Sequence, residues 1–195
     1  MIYLSYSTIS DYYKAHHSYL NYIMGIKKPV SPQMEQGKKD HETIQAHCLG
    51  GNNPALENVK LRFTQKEYEF RVPWDSKYGI HGFIDLWDKD TNSLAEIKTG
   101  SAVWSLRKFM DLMQWRLYAK ATETKQCYGI SCIAGVKNAR VYPLPYTQKD
   151  AIMIDKWVTA AIEMIDAKKF TDDLIEEKWC TGNCGYRDNC RFYKP

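Results

Sequence analysis

The stretch Gly82–Gly100, GFIDLWDKDTNSLAEIKTG, sets an aspartate inside one apolar run and a glutamate and a lysine inside the next. Side chains alternate along a β-strand. In the second run Glu96 and Lys98 therefore share one face, and Ala95 and Ile97 share the other. In the first run Asp85 shares a face with Phe83 and Trp87, while Ile84 and Leu86 point the opposite way. If the runs pair as antiparallel strands across the polar turn 88–93, Asp85, Glu96 and Lys98 are expected to converge. Two carboxylates at one point repel unless something positive joins them. Mg²⁺ or Mn²⁺ suits carboxylate oxygens and keeps water positions open. Such an ion activates a water and neutralises charge on a phosphate, and the adjacent lysine would orient the water or stabilise the phosphorane. The pattern points to phosphodiester chemistry. The plainer alternative is an aspartate in a hairpin and a Glu–Lys pair on a solvated strand face, because the spacing is short and loose.

Outward from this hairpin, apolar periodicity predicts a helix over 5–24, closed by Gly25. Ser31-Pro32 is a cap and first-turn proline opening a second helix through Gly37 and His41 to about Cys48, where Gly50-Gly51 stops it. Residues 59–72 alternate as one or two strands, followed by strands 79–87 and 94–99. A helix is predicted over 101–122, strands over 127–133 and 139–144, and a long amphipathic helix over 147–169. The tail 171–195 is irregular. The expected fold is α/β, a core with a central mixed sheet flanked by helices, plus a cysteine-containing tail. The chain is read as one domain over 1–195: N-terminal helices over 1–50, the core over 59–170 and the tail over 171–195.

Bulk properties agree with a globular chain. Of 195 residues, 44% are hydrophobic and 26% charged, which excludes a disordered composition. No apolar run approaches the roughly 20 residues of a membrane span, and the N-terminus has no basic n-region or apolar h-region of a secretory signal. A cytoplasmic location is expected. The net charge of +4, from 27 Lys and Arg against 23 Asp and Glu, is compatible with nucleic acid but argues little for it.

Residues around the hairpin sharpen the reading. Gln114 and Tyr118 stand four apart on one face of the following helix, and His41 stands four after Gly37 on the second helix. Singly, each is ordinary. In order, Gly37-x-x-x-His41, Gly82-x-x-Asp85, Glu96-x-Lys98 and Gln114-x-x-x-Tyr118 resemble the motif series of the RecB-like branch of the PD-(D/E)xK nucleases. That branch includes CRISPR adaptation exonucleases and the nuclease domains of RecB and AddB. SYSTISDYYKAHHSY (5–19) is similar to the family's opening, and CGYRDNC (184–190) to its closing motif. The resemblance implies a restriction-endonuclease-like core in which His41, Asp85 and Glu96 bind the divalent metal, with the Ile97 carbonyl joining them. It implies Lys98 as the catalytic lysine and Gln114 and Tyr118 as residues that position the scissile strand. The implied substrate is DNA with a single-stranded end, and the implied action exonucleolytic.

Six cysteines are present. Cys127 and Cys132 lie in a strand and read as core residues; Cys48 ends a helix. Cys180, Cys184 and Cys190 cluster in the tail as a metal signal. The resemblance implies that three such cysteines join one near the N-terminus around a [4Fe–4S] cluster, stapling the chain ends. Here Ala15 stands at the position of that fourth cysteine, which leaves His16 as the replacement, with His17 next. Three cysteines and a histidine suit an Fe–S cluster or structural Zn²⁺; the alternative is a decayed, empty site.

The expected activity is thus a Mg²⁺- or Mn²⁺-dependent deoxyribonuclease acting from single-stranded ends. A helicase, recombination or CRISPR adaptation protein is the kind of partner implied, and recombination repair or phage DNA processing would equally use such a domain. The alternatives are a non-catalytic or partner-dependent DNA-binding adaptor, a structure-selective endonuclease, and a zinc-tail interaction module with decorative hairpin charges.

Overall fold

The structure, a computed structural model, describes residues 1–12 and 30–167. Strand β1 (Ile2–Ser5) leads into helix α1 (Tyr6–Tyr12). Ser5 turns the chain between them, its Oγ accepting from Thr8 N at 3.1 Å. Helix α2 is Pro32–Cys48. Ser31 caps it by accepting from Met34 N, Pro32 sits at its start and Glu35 in its first turn, all favourable at a helix N-terminus. Beyond its end Gly50 takes a φ of +106°, which a side chain would resist. A 3₁₀ turn (Pro54–Leu56) follows, then strands β2 (Gln65–Pro73), β3 (Tyr78–Asp88) and β4 (Ser93–Gly100). Helices α3 (Leu106–Met110) and α4 (Met113–Ala121) precede strands β5 (Gln126–Ile133) and β6 (Lys137–Leu144), and helix α5 is Gln148–Asp166.

The strands form one mixed sheet in the order β1-β3-β4-β5-β6, with β2 also paired to β3. β3 runs antiparallel to β2 and to β4, β4 parallel to β5, and β5 antiparallel to β6. The parallel pair needs a crossover, and α3 and α4 supply it. The α/β mixed sheet with flanking helices is the architecture expected from the sequence.

Two expectations change. The helix predicted over 101–122 is two short helices after an extended start. Ser105 caps the first through Lys108 N, and the chain breaks at Asp111 and Leu112 before α4 begins. The segment 59–72 is a single strand beginning only at Gln65. β1 was absent from the sequence reading.

The chain divides into two compact units: residues 1–3 with 31–154, and residues 4–30 with 155–195. In the first, Ile44 and Cys48 of α2 pack with Leu56, Val59, Leu86, Ala95, Ile97, Ile130 and Cys132 in one buried cluster. Cys48, Cys127 and Cys132 are buried free thiols, as expected from the strand positions of the latter two. Gly129 admits the buried Phe109 ring, to which a Cβ would come within 2.8 Å. Arg116 of α4 and Asp150 at the start of α5 form a buried pair at 2.6 Å, and Thr147 completes Asp150 from its N–H and hydroxyl. In the second unit, Tyr6 and Trp157 rings lie 6.0 Å apart, and Ile9 and Val158 are fully buried. No helix among the described residues is long and apolar enough to cross a membrane.

Candidate active site

The site lies where β3 and β4 part. Their ladder has three paired positions, ending at Leu86↔Ala95. The next donor on β4, Ile97 N–H, meets no backbone partner on β3; the Asp85 side chain takes it, Oδ2 accepting at 2.6 Å. A carboxylate thus stands in for a rung of the sheet and is fixed at the mouth of the gap. β2 also pairs with β3, from Gln65↔Trp87 to Pro73↔Gly79, so β3 is held as a strand although its ladder with β4 stops.

α2 brings His41 to this point. Gly37, one turn earlier, lies where a Cβ would sit 3.4 Å from Thr99 Oγ1 of β4, so the helix approaches that strand closely. His41 Nδ1 is 3.9 Å from Asp85 Oδ1. Burial holds the imidazole below its usual pKa despite the carboxylates of Glu96, Glu67 and Asp40 nearby, which favours a neutral ring with a lone pair to donate.

Glu96 and Lys98 project from one face of β4, as alternation predicted. Lys98 Nζ donates to Glu96 Oε1 at 2.5 Å and to Gln114 Oε1 of α4 at 3.1 Å. Gln114 Nε2 reaches toward the Tyr118 hydroxyl at 3.5 Å. The buried Tyr118 ring stands edge-on to Phe70 at 5.2 Å, and both lie where a Cβ on Gly82 would collide at 2.8 Å. Gly82, the first residue of the Gly-x-x-Asp motif, therefore makes room for the tyrosine that ends the Gln-x-x-x-Tyr motif. Burial pushes Glu96 up to about 7, against the pull of Lys98 and with the push of Asp85; burial likewise raises Asp85 to about 6. These are two carboxylates short of positive charge.

Two further residues join the site that the sequence reading did not pick out. Gln45, one turn beyond His41 and only 1% exposed, donates from Nε2 to the Asp85 carbonyl at 3.0 Å and to Glu67 Oε1 at 2.6 Å. Its place four residues after His41, on the same helix face, was the available signal. Glu67 lies on β2 between the positions paired with Leu86 and Ile84, and takes a φ of +49°. That conformation is uncommon for a side-chain-bearing residue, and no sequence pattern announced it.

The contacts form two sets: His41, Asp85 and the Ile97 N–H in one, and Glu96, Lys98, Gln114 and Tyr118 in the other. As placed, no three His, Cys, Asp or Glu side chains among the described residues are close enough together to hold a metal ion. The donors themselves, one neutral imidazole and two under-neutralised carboxylates, have the chemistry a hard divalent cation takes. His16, His17, Cys180, Cys184 and Cys190 lie outside the described residues.

No protein-family model matches the chain, and no curated protein matches it in sequence. Solved structures do. SSO0001 is similar at a TM-score of 0.68 and 14% identity, over 100% of this chain and 89% of that one. An alkaline exonuclease, LHK-Exo, from Laribacter hongkongensis is similar at 0.56 and 13%, over 85% and 88%; it has also been solved in complex with dAMP. A phage-related exonuclease from Haemophilus somnus is similar at 0.53 and 9%, over 83% and 81%. At these identities the likeness is one of fold.

Proposed function

We propose that the protein is a divalent-cation-dependent deoxyribonuclease of the PD-(D/E)xK type that hydrolyses phosphodiester bonds from single-stranded DNA ends. The observation that carries this reading is the Lys98 ammonium held between Glu96 and Gln114, beside an Asp85 carboxylate fixed in place of a sheet rung. Two proteins of similar fold, LHK-Exo and the phage-related protein, are exonucleases, and LHK-Exo has been solved with a nucleotide, dAMP.

In this reading His41, Asp85, Glu96 and the Ile97 carbonyl would hold Mg²⁺ or Mn²⁺, which when bound activates a water and neutralises phosphate charge. Gln45 fixes the backbone that carries Asp85, so the carboxylate meets its partners preorganised. Lys98 donates to the attacked phosphate or orients the water, its ammonium aimed by two acceptors rather than left to rotate. Gln114 and Tyr118 set the strand against Lys98, and Phe70 packs the tyrosine ring from behind. Helicase, recombination or CRISPR adaptation proteins are the partners such a domain would serve.

The test is a time course on 5′- and 3′-end-labelled single-stranded DNA with Mg²⁺, Mn²⁺ or EDTA. Progressive cation-dependent shortening that Lys98→Ala removes is expected, and the label that disappears first gives the polarity. A closed single-stranded circle should resist; its cleavage would replace the exonuclease by an endonuclease. DNA binding with no cleavage under any cation would replace the nuclease by a DNA-binding adaptor on the same fold.

A further inference from the structure

We infer that the face of β3 leading up to Asp85 stacks the bases of the bound DNA strand, with Phe83 as the platform nearest the site. This rests on the nuclease reading above and names the part of the substrate that the same site grips. Alternation puts His81, Phe83 and Asp85 on one face of β3, and pairing with β2 sets Glu69 opposite Phe83 and Arg71 opposite His81. Phe83 is 47% exposed. Two residues of strand span roughly 6.6 Å, about one extended nucleotide, so a strand whose phosphate reaches Asp85 passes its neighbouring base over Phe83.

Single exposed apolar residues are common and need no function. What distinguishes Phe83 is its bracing. The His81 ring stands edge-on to it, centroids 5.2 Å apart at 77°. His81 Nε2 lies 3.2 Å from Glu69 Oε1, and Arg71 donates to that same oxygen from Nε at 3.1 Å and from a terminal nitrogen at 2.9 Å. Arg71 in turn lies 5.8 Å over the ring of Tyr3, which is 42% exposed. The Tyr3 ring rests on Gly79, where a Cβ would come within 2.6 Å of it. Three aromatic rings and a guanidinium thus line one strip that ends at Asp85.

The charge of the strip says what it takes. Its acid, Glu69, is matched by Arg71, so the strip neither repels a nucleic acid as a carboxylate wall would nor presents the free cations a phosphate track requires. Aromatic faces with a guanidinium among them suit bases, through stacking and cation–π contact. Because the rings are held before the strand arrives, little side-chain freedom is lost on binding. Stacking tolerates any base, which fits an enzyme that shortens DNA of any sequence.

The experiment measures binding by fluorescence anisotropy in EDTA to a labelled oligo(dT) and to a labelled oligomer of abasic spacers of equal length. Wild type is expected to prefer oligo(dT), and Phe83→Ala to weaken that binding roughly 5- to 100-fold. The variant should bind the abasic oligomer as wild type does, and Phe83→Trp should restore oligo(dT) binding. Equal loss on both oligomers, or no loss on either, overturns the stacking role. Wild-type cleavage of labelled DNA separates the two readings. If wild type cuts and Phe83→Ala binds normally, only the stacking role falls. If wild type neither cuts nor binds, the nuclease reading falls and takes this inference with it.

Discussion

β3 is bordered differently by β2 and by β4. β2 pairs with it at eight positions, β4 at three. On the β2 side the ladder passes over only Glu67 and Asp85, and resumes on both sides of them. Along the β4 edge the ladder stops, and Asp85 spends a carboxylate oxygen on the stranded Ile97 N–H. A buried backbone donor must find a partner; here the partner is also a reactive group. The comparison separates charges that finish a structure from charges that a structure holds ready.

The largest break in that comparison should come from the open edge. Lys98→Ala or Glu96→Ala is expected to lower cleavage by at least roughly 10²–10³, read as initial rates on end-labelled DNA. Glu96→Ala also strands Lys98, so its melting temperature is compared with that of Lys98→Ala to separate chemistry from folding.

The next effect is pH dependence. Burial raises Asp85 to about 6 and Glu96 to about 7, above their ordinary values of 3.8 and 4.5. The folded chain then holds protons that the unfolded chain releases, so stability in EDTA falls as pH rises from about 4 to about 7. A calorimetric melt at pH 5 should exceed one at pH 8, by about 2–4 °C for each kcal/mol of this linkage. Mn²⁺ should recover the loss at pH 8 and do little at pH 5. A Glu96→Gln protein should melt with a flatter pH profile.

A smaller effect is expected from Gly82→Ala. Its methyl would meet Phe70 and Tyr118 at 2.8 Å, costing about 1–3 kcal/mol in a denaturant titration. Because Tyr118 is one of the rings displaced, KM for DNA should rise as well. The smallest belongs to the longer-paired β2 side. Tyr68 stacks on Trp87 at 5.2 Å and 12°. Tyr68→Ala should cost about 0.5–1.5 kcal/mol beyond lost burial and leave kcat as it was. A large drop in kcat there would erase the distinction between the edges.

Much of the open edge was legible in the sequence because alternation is a local rule. Glu96 and Lys98 two residues apart had to share a face, and Gln114 and Tyr118 four apart had to share a helix stripe. What alternation missed is where local pattern yields to tertiary structure. The run 101–122 carries helical periodicity, but a serine cap at Ser105 and a break at Asp111 and Leu112 divide it into pieces short enough to turn the crossover. Gln45 reads as helix filler until its amide is seen spanning Glu67 and the Asp85 carbonyl. Glu67 reads as one more outward residue of an alternating strand, since a positive φ leaves no mark on composition. Ile97 was expected through its carbonyl, and the contact the structure gives it is through its N–H.

Asp40, the residue before His41, is 2% exposed, and both its carboxylate oxygens accept from Gly135 N, at 3.2 and 3.1 Å. Gly135 turns the β5–β6 hairpin and lies 95 residues further along the chain. The helix that carries His41 is thus anchored by a segment synthesised long after it. Contacts of such separation form late, because a long loop must close before they reward folding. A chain emerging from the ribosome holds His41, Asp85, Glu96 and Lys98 well before it holds the turn that seats their helix. The order of synthesis therefore makes this anchor among the last of the helix's supports to become available.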